Sequence, residues 1–392
     1  MKAYVVRNDD LVVPLGEPAR DCLILNKKLA QLQAEALAAS GLEVVYVCSK
    51  PEISDKGEYL MLNDNVFFTP ALLAEFLRQA RNGKRVAVCA LKNGVTTQRT
   101  AVSLQDVVRG NDFTQYNLCY IPEEGHDNLS RVILINPDRF FASIKVPRHM
   151  CESGEYKIPM TDNFIIQIDH WVNLWSANIV GILAEGARLQ KKTWPEKLWL
   201  AVRAGSLNRW NILWHLNNVG RNCDIHPTAY IEGSAIGDNV TVGAGAVVRA
   251  SVIGGNVTIG NNVVIEESVI GEGSSMLVGH VLYSVFYPGV FSVAEMITAS
   301  ILGRDTFMGS NSILTDFRVD GRNVTVMKDG RPFDSGNLFL GSCVGHRTRI
   351  GSGTIVAPGR TIPCGLQIIA RQERVVLGKF DDLRAEGPLI KR

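Results

Sequence analysis

The sequence predicts three successive structural classes: an α/β layer, a helical connector and a parallel β-helix. Three observations predict them. Short apolar strands alternate with helix-period segments over residues 1–160. All six tryptophans (171, 175, 194, 199, 210 and 214) fall in the next zone, 161–222, which holds two segments of helical period. Aliphatic residues then recur every five or six positions from 223 to 370, and residues 371–392 form a tail.

In the first zone "MKAYVV" reads as a strand, and "NKKLAQLQAEALAASG" as a helix stopped by Gly41. "LEVVYVCS" reads as a buried strand. "TPALLAEFLRQARNGK" is a helix opened by Thr69 and Pro70, and "RVAVCAL" a further strand. This alternation implies a parallel sheet. In the second zone Trp171 and Trp175 share one helix face, as do Trp210 and Trp214. Such rings can stack on a sugar or base, or can pack between two domains; large amphipathic rings suit the second use.

The third zone carries the strongest signal. Ser234-Ala235-Ile236, Ser251-Val252-Ile253, Ser268-Val269-Ile270, Ser284-Val285-Phe286 and Ser300-Ile301-Leu302 recur at spacings of 17, 17, 16 and 16. Ile225, Val242 and Ile259 form a second file, and Ile231, Val248 and Ile265 a third. From Val344 the frame is six: Ile350, Val356, Ile362, Ile368. One strand and one turn per six residues, three to a coil, stack aliphatic files on the axis; the following Gly sits at a corner where its conformational freedom is useful. A β-sandwich does not hold such a period. Residues 315–339 interrupt the files with two Asp-Gly pairs and short alternating runs, which predicts a hairpin excursion.

Composition excludes several classes. The chain has 392 residues, 46% hydrophobic and 20% charged, with a formal charge of +2 and no basic run, so no nucleic-acid partner is expected. No apolar window is long enough to span a membrane, and no signal peptide is evident at the start. The eight cysteines are scattered without a C-x-x-C pair, which favours a reducing, cytoplasmic setting.

The repeat resembles the hexapeptide-repeat left-handed β-helix family. The order of zones resembles the sugar-1-phosphate nucleotidylyltransferases, whose front domain is Rossmann-like, with a β-helix behind it. More closely, "SILGRDTFMGSNSILTDFRVDGRNVTV" and "GRPFDSGNLFLGSCVGHRTRIGSGTIVAPGRTIP" resemble archaeal-type bifunctional enzymes that make UDP-N-acetylglucosamine. Those transfer uridylyl in front and acetyl behind. In front, "LILNKKLAQLQAEALAASGLEVVYV" resembles the second part of the nucleotidylyltransferase signature, "LMLNDNVFFTPALLAEFL" its metal-binding segment, and "DHWVNLWSAN" the lead into the connector.

The resemblance implies Asp64 as a Mg²⁺ ligand, with the second ligand near Gln167 or Asp169. Departures from the family are equally specific. Its Gly-rich phosphate loop is replaced by "VRNDDLVVPLGEPARD", where Arg20 stands near the expected Lys. Its base-reading segment has no room between Cys48 and Asp64, and its acetyl-transfer His corresponds to Val293. His346 and His280, two histidines inside the repeat, are the candidate bases, His346 at a corner where a side chain can point outward to a neighbouring subunit.

The excursion would line a site, with Asp316, Asp334, Ser335 and Gly336 contacting substrate. The expectation is a degenerate relative that binds a sugar phosphate, a sugar nucleotide or acyl-coenzyme A, and transfers an acyl group to an amino sugar. The alternatives are a non-catalytic regulatory or scaffold protein and a residual nucleotidylyltransferase. The family further implies a homotrimer.

Overall fold

The computed structural model describes residues 1–55, 57–83, 85–123 and 130–369, so the tail at 371–392 lies outside the described residues. Two compact units emerge: Met1–Leu216 with Phe317–Phe339, and Asn217–Asp316 with Leu340 onward.

The first unit is built on a mixed sheet. Strand β1 (Lys2–Val6) lies parallel between β2 (Glu43–Val47) and β3 (Tyr59–Asn63). Strand β4 (Ala87–Lys92) is parallel to the edge strand β6 (Arg131–Ile135). Between β3 and β4 runs β5 (Phe113–Ile121), antiparallel to both. The spatial order is β6-β4-β5-β3-β1-β2. The sheet is therefore not wholly parallel as its sequence pattern implied, because β5 turns back between two strands that share a direction. Strand β2, read as buried, is an edge strand with Tyr46 47% exposed.

Helices α1 (Leu29–Ala39) and α2 (Pro70–Ala80) bury Leu37 and Phe76 in one cluster with Leu60, Leu62 and Leu118 of the sheet. Thr69 opens α2 as its sequence predicts: its Oγ1 accepts the Leu72 N–H at 3.4 Å, with Pro70 at the first helical position. Three helices cover the tryptophan zone: α4 (Trp171–Lys191), α5 (Trp194–Arg203) and α6 (Arg209–Trp214), after the short α3 (Val95–Arg99).

Trp171 is fully buried and Trp175 nearly so, with Asn173 and Asn178 of α4 donating to the carbonyls of Thr100 and Leu23. These two rings pack inside the first unit, whereas Trp194 and Trp199 of α5 face solvent at 74% and 60% exposure. The excursion is a hairpin, Thr325–Lys328 against Arg331–Asp334. It turns on Asp329 and Gly330, both with positive φ, the geometry a two-residue Asp-Gly turn favours.

The second unit is a parallel β-helix. Short strands join three parallel sheets in rotation, and each strand pairs with the one a full coil later: Ile236 with Ile253, Ile253 with Ile270, Ile270 with Phe286. The predicted files are the core: Ile253, Ile259, Ile265, Ile270, Val344 and Ile350 are all buried in one cluster. Serine repeats for a separate reason. Ser234, Ser251, Ser268, Ser284, Ser300 and Ser342 form a buried ladder in which each Oγ accepts the N–H of the next, at 3.0–3.2 Å. The rung from Ser300 to Ser342 skips the hairpin, so the column continues as though it were absent.

The glycines after the first-sheet aliphatics are not needed for their φ. A Cβ on Gly254 would stand 2.6 Å from the Glu272 backbone nitrogen, and one on Gly271 2.4 Å from the backbone of Tyr287 and Pro288. Close approach of the next coil, and not backbone freedom, excludes a side chain there.

Candidate functional site

In an open α/β sheet, ligands bind beyond the carboxyl ends of the strands where the strand order reverses. Here the chain passes from β1 to β2 on one side and then to β3 on the other, so the reversal lies at β1. Asp64 follows β3 at this point, and its N–H donates to the carbonyl of Val6 at the end of β1. The carboxylate is 1% exposed.

Arg20 Nη1 donates to Asp64 Oδ2 at 3.0 Å and to the Asn8 carbonyl at 2.9 Å, while its Nη2 reaches Asp9 Oδ1 at 2.8 Å. The Asn8 N–H donates to Asp64 Oδ1 at 2.9 Å. Both oxygens of Asp64 are thus engaged. Burial pushes its carboxyl above the ordinary range, with Arg20 and the Asn8 N–H opposing. Arg20 is held charged, chiefly by Asp9 and also by Asp64. The segment between β1 and Arg20 forms a small hairpin, Leu11–Val12 against Glu17–Pro18, and returns the chain to Arg20.

Asp169 belongs to an adjoining network. Its Oδ1 accepts from Asn65 Nδ2 at 2.7 Å, and its Oδ2 from the Asp106 N–H at 2.7 Å and Gln167 Nε2 at 2.9 Å. Gln167 Oε1 in turn accepts from Asn117 at 2.7 Å. Burial is the main cause that raises the Asp169 pKa. A divalent cation does not fit this arrangement as it stands: the guanidinium already fills the cationic place beside Asp64, and amides and N–H groups occupy Asp169. Among the described residues no three His, Cys, Asp or Glu side chains group as a metal site. Asn65, Asn117 and Asp106 had no signal in the sequence, because only the fold brings their segments together.

The hairpin residues take another role than the one expected. Ser335 is fully buried, its Oγ accepting the Asn337 N–H. A Cβ on Gly336 would stand 2.1 Å from the Gln98 carbonyl oxygen. Arg99 Nη1 donates to the Gly336 carbonyl at 2.8 Å, and its guanidinium lies 4.1 Å from the Tyr156 ring centre. The Asp334-Ser335-Gly336 motif therefore docks the hairpin on α3. Asp334 alone is exposed, at an open recess of about 420 Å³ beside Ser103 and Asn323. At the other end His170 holds the hairpin: its Nε2 donates to the Met327 carbonyl at 3.2 Å while Nδ1 accepts the Val172 N–H at 3.3 Å. Burial drives the His170 pKa down to about 4.

In the column, Asp316 is half-buried and its carbonyl accepts the Leu340 N–H, closing the base of the excursion; burial raises its pKa. His346 does not point outward. It is 9% exposed, its Nδ1 accepts the Arg304 N–H at 2.7 Å, and its ring lies 5.5 Å from that of Tyr287. Burial, then Arg304 and Arg347, lower its pKa to about 4. His280 is exposed on the third sheet, in a different coil. The structure does not bring the two histidines together.

A recess of about 500 Å³ opens on the second sheet, between Phe291, Phe307, Asp305, Arg349 and Gln367. The two phenyl rings lie near-parallel, 6.0 Å between centres. All eight cysteines are free, and no helix among the described residues is long and apolar enough to cross a membrane. No family model matches the chain, and no curated protein matches it.

Proposed function

We propose that the chain is a degenerate relative of the sugar-1-phosphate nucleotidylyltransferases with a left-handed β-helix, one that binds a sugar nucleotide without transferring the nucleotidyl group. One observation carries this reading: Arg20 and the Asn8 N–H take both oxygens of Asp64 at the strand-order reversal. Metal-assisted phosphoryl chemistry needs a carboxylate open to a cation. With Arg20 in that place there is no open metal position, and the same guanidinium can hold an anionic phosphate in exchange for the exposed Asp9 on its Nη2.

The test pairs two measurements on the full chain. UDP-sugars are expected to raise the melting temperature, and nucleoside triphosphate with sugar 1-phosphate and Mg²⁺ is expected to release no pyrophosphate. Steady pyrophosphate release overturns the reading.

A second reading, acyl transfer from acyl-coenzyme A on the column, draws on the recess at Phe291 and Phe307. The parallel rings offer a flat apolar wall for an adenine, and Arg349 a cation for its phosphates. His280, exposed and on another face, would serve as base. Labelled acetyl-coenzyme A with a panel of amino sugars tests it, and no turnover together with no thermal shift rejects it. The reading also carries a homotrimer in a cytoplasmic setting; light scattering that gives a monomer at micromolar concentration removes the trimer.

A further inference from the structure

A second polar recess lies within the first unit, at the carboxyl end of the edge strand β6, away from β1. It measures about 590 Å³ and lies between the face of α2 that runs from Ala71 to Gln79, the end of β6 with the segment after it, Asn163 and Lys191. Three cationic side chains line it, Arg78, Arg139 and Lys191, against one carboxylate, Glu75. Two of the cations are spent. Arg78 forms a two-pronged pair with Glu75 at 2.7 and 2.9 Å, and Lys191 pairs with Asp162. Arg139 is not: among the described residues its guanidinium makes no ion pair and no hydrogen bond.

The amides beside it are similarly uncommitted. Asn136 uses only its oxygen, to accept the Asp138 N–H at 3.1 Å, and the Asn163 side chain makes no hydrogen bond among the described residues. The wall therefore presents an uncompensated positive charge and a surplus of N–H donors: five on a guanidinium and two on each amide. Leu134, Ala71 and Ala74 add an apolar side to the recess. Donors in excess, one net charge and a strip of apolar surface complement a group with several negatively charged oxygens attached to a carbon body.

We propose that this recess binds a phosphorylated small molecule, with Arg139 gripping the phosphate as a fork and Asn136 and Asn163 donating beside it. The site is independent of Asp64 and Arg20, and either assignment can fail without the other.

Isothermal titration of the full chain at low salt tests it, with inorganic pyrophosphate, glucose 1-phosphate and uridine diphosphate as probes. Each is expected to bind the wild type, and Arg139→Gln to weaken binding about tenfold or more, the loss expected for a charge-assisted hydrogen-bonded contact. Because the Arg139 side chain is exposed and makes no hydrogen bond or ion pair among the described residues, the variant should keep the wild-type melting temperature, which is measured alongside. Tighter binding of the two esters than of pyrophosphate supports an ester as ligand; the reverse order supports free diphosphate. No binding of any probe to the wild type, or equal affinities in Arg139→Gln, overturns the proposal.

Discussion

The column and the mixed sheet both bury large aliphatic cores, yet they satisfy their interiors by opposite means. In the column, every buried position is repeated one coil later, so Ile253 stacks on Ile270 and Ser251 bonds to Ser268. In the sheet, every buried position is unique. Leu62 pairs with Val5 on one side and Leu118 on the other, from distant parts of the chain. Its interior polar groups are also single solutions: Gln33 Nε2 alone reaches the carbonyls of Asn63, Asp64 and Val66. A repeated interior spreads the effect of a substitution over equivalent neighbours. A unique one concentrates it on a single partner, and function is more readily placed there.

The largest expected effect tests the repeated interior. Phe286 is 1% exposed on the first-sheet file between Ile270 and Leu302. Phe286→Ala should cost about 4 kcal/mol by chemical denaturation, from lost burial and the cavity left behind. A cost below ~1 kcal/mol would mean that the column closes over missing volume, and the comparison would lose its basis.

Next comes acid. His170 in the first unit titrates near pH 4 when folded, against an ordinary value near 6.5. Between those values the unfolded chain binds a proton that the folded chain refuses. Its contribution, about 3 kcal/mol, is complete above pH 6.5 and is lost as pH falls toward 4. His170→Asn keeps an oxygen to accept the Val172 N–H and removes the titration, so its stability should vary less over this window. An unchanged pH profile would remove His170 as the acid-sensitive tie of the hairpin. His346 in the column, also lowered to about 4, should flatten the profile separately in His346→Asn.

A smaller effect probes the unique interior. Arg20→Met strands the buried Asp64 carboxylate, at a cost of about 2 kcal/mol after allowing for the partial exposure of Arg20. Adding Asp64→Leu should recover part of the loss in a double-mutant cycle. Additive losses would show that the pair is not coupled.

Ser268→Ala removes one rung of the serine ladder and leaves the Ser284 N–H without its acceptor, for about 1–2 kcal/mol. The smallest effect is Trp199→Ser on the exposed face of α5, expected within about 0.5 kcal/mol. A larger loss there would show that the exposed tryptophan is covered in solution.

These differences match how much of the molecule could be read in advance. The column was legible because its geometry forces recurrence: one coil, one serine, three inward aliphatics. The hairpin was legible from Asp329-Gly330, whose turn chemistry is local. The edge position of β2 and the antiparallel run of β5 were not, since strand order depends on what the chain meets after it turns. At the site, Asp64 and Arg20 were both named from the sequence, but their pairing across 44 positions was not. Ser335 and Gly336 carried a motif whose partner, α3, lies far earlier in the chain.

By itself, then, the amino-acid order determined the existence of the stacked coils, the helices and the tight turn. Each of these is governed by interactions a few residues apart or by a period that repeats them. Only the tertiary structure decided that Arg20 fills the place beside Asp64, that His346 faces inward, and that the Arg139 side chain is left without a partner among the described residues. Such outcomes depend on which distant charges and carbonyls are brought within about 3 Å. No local pattern encodes that distance.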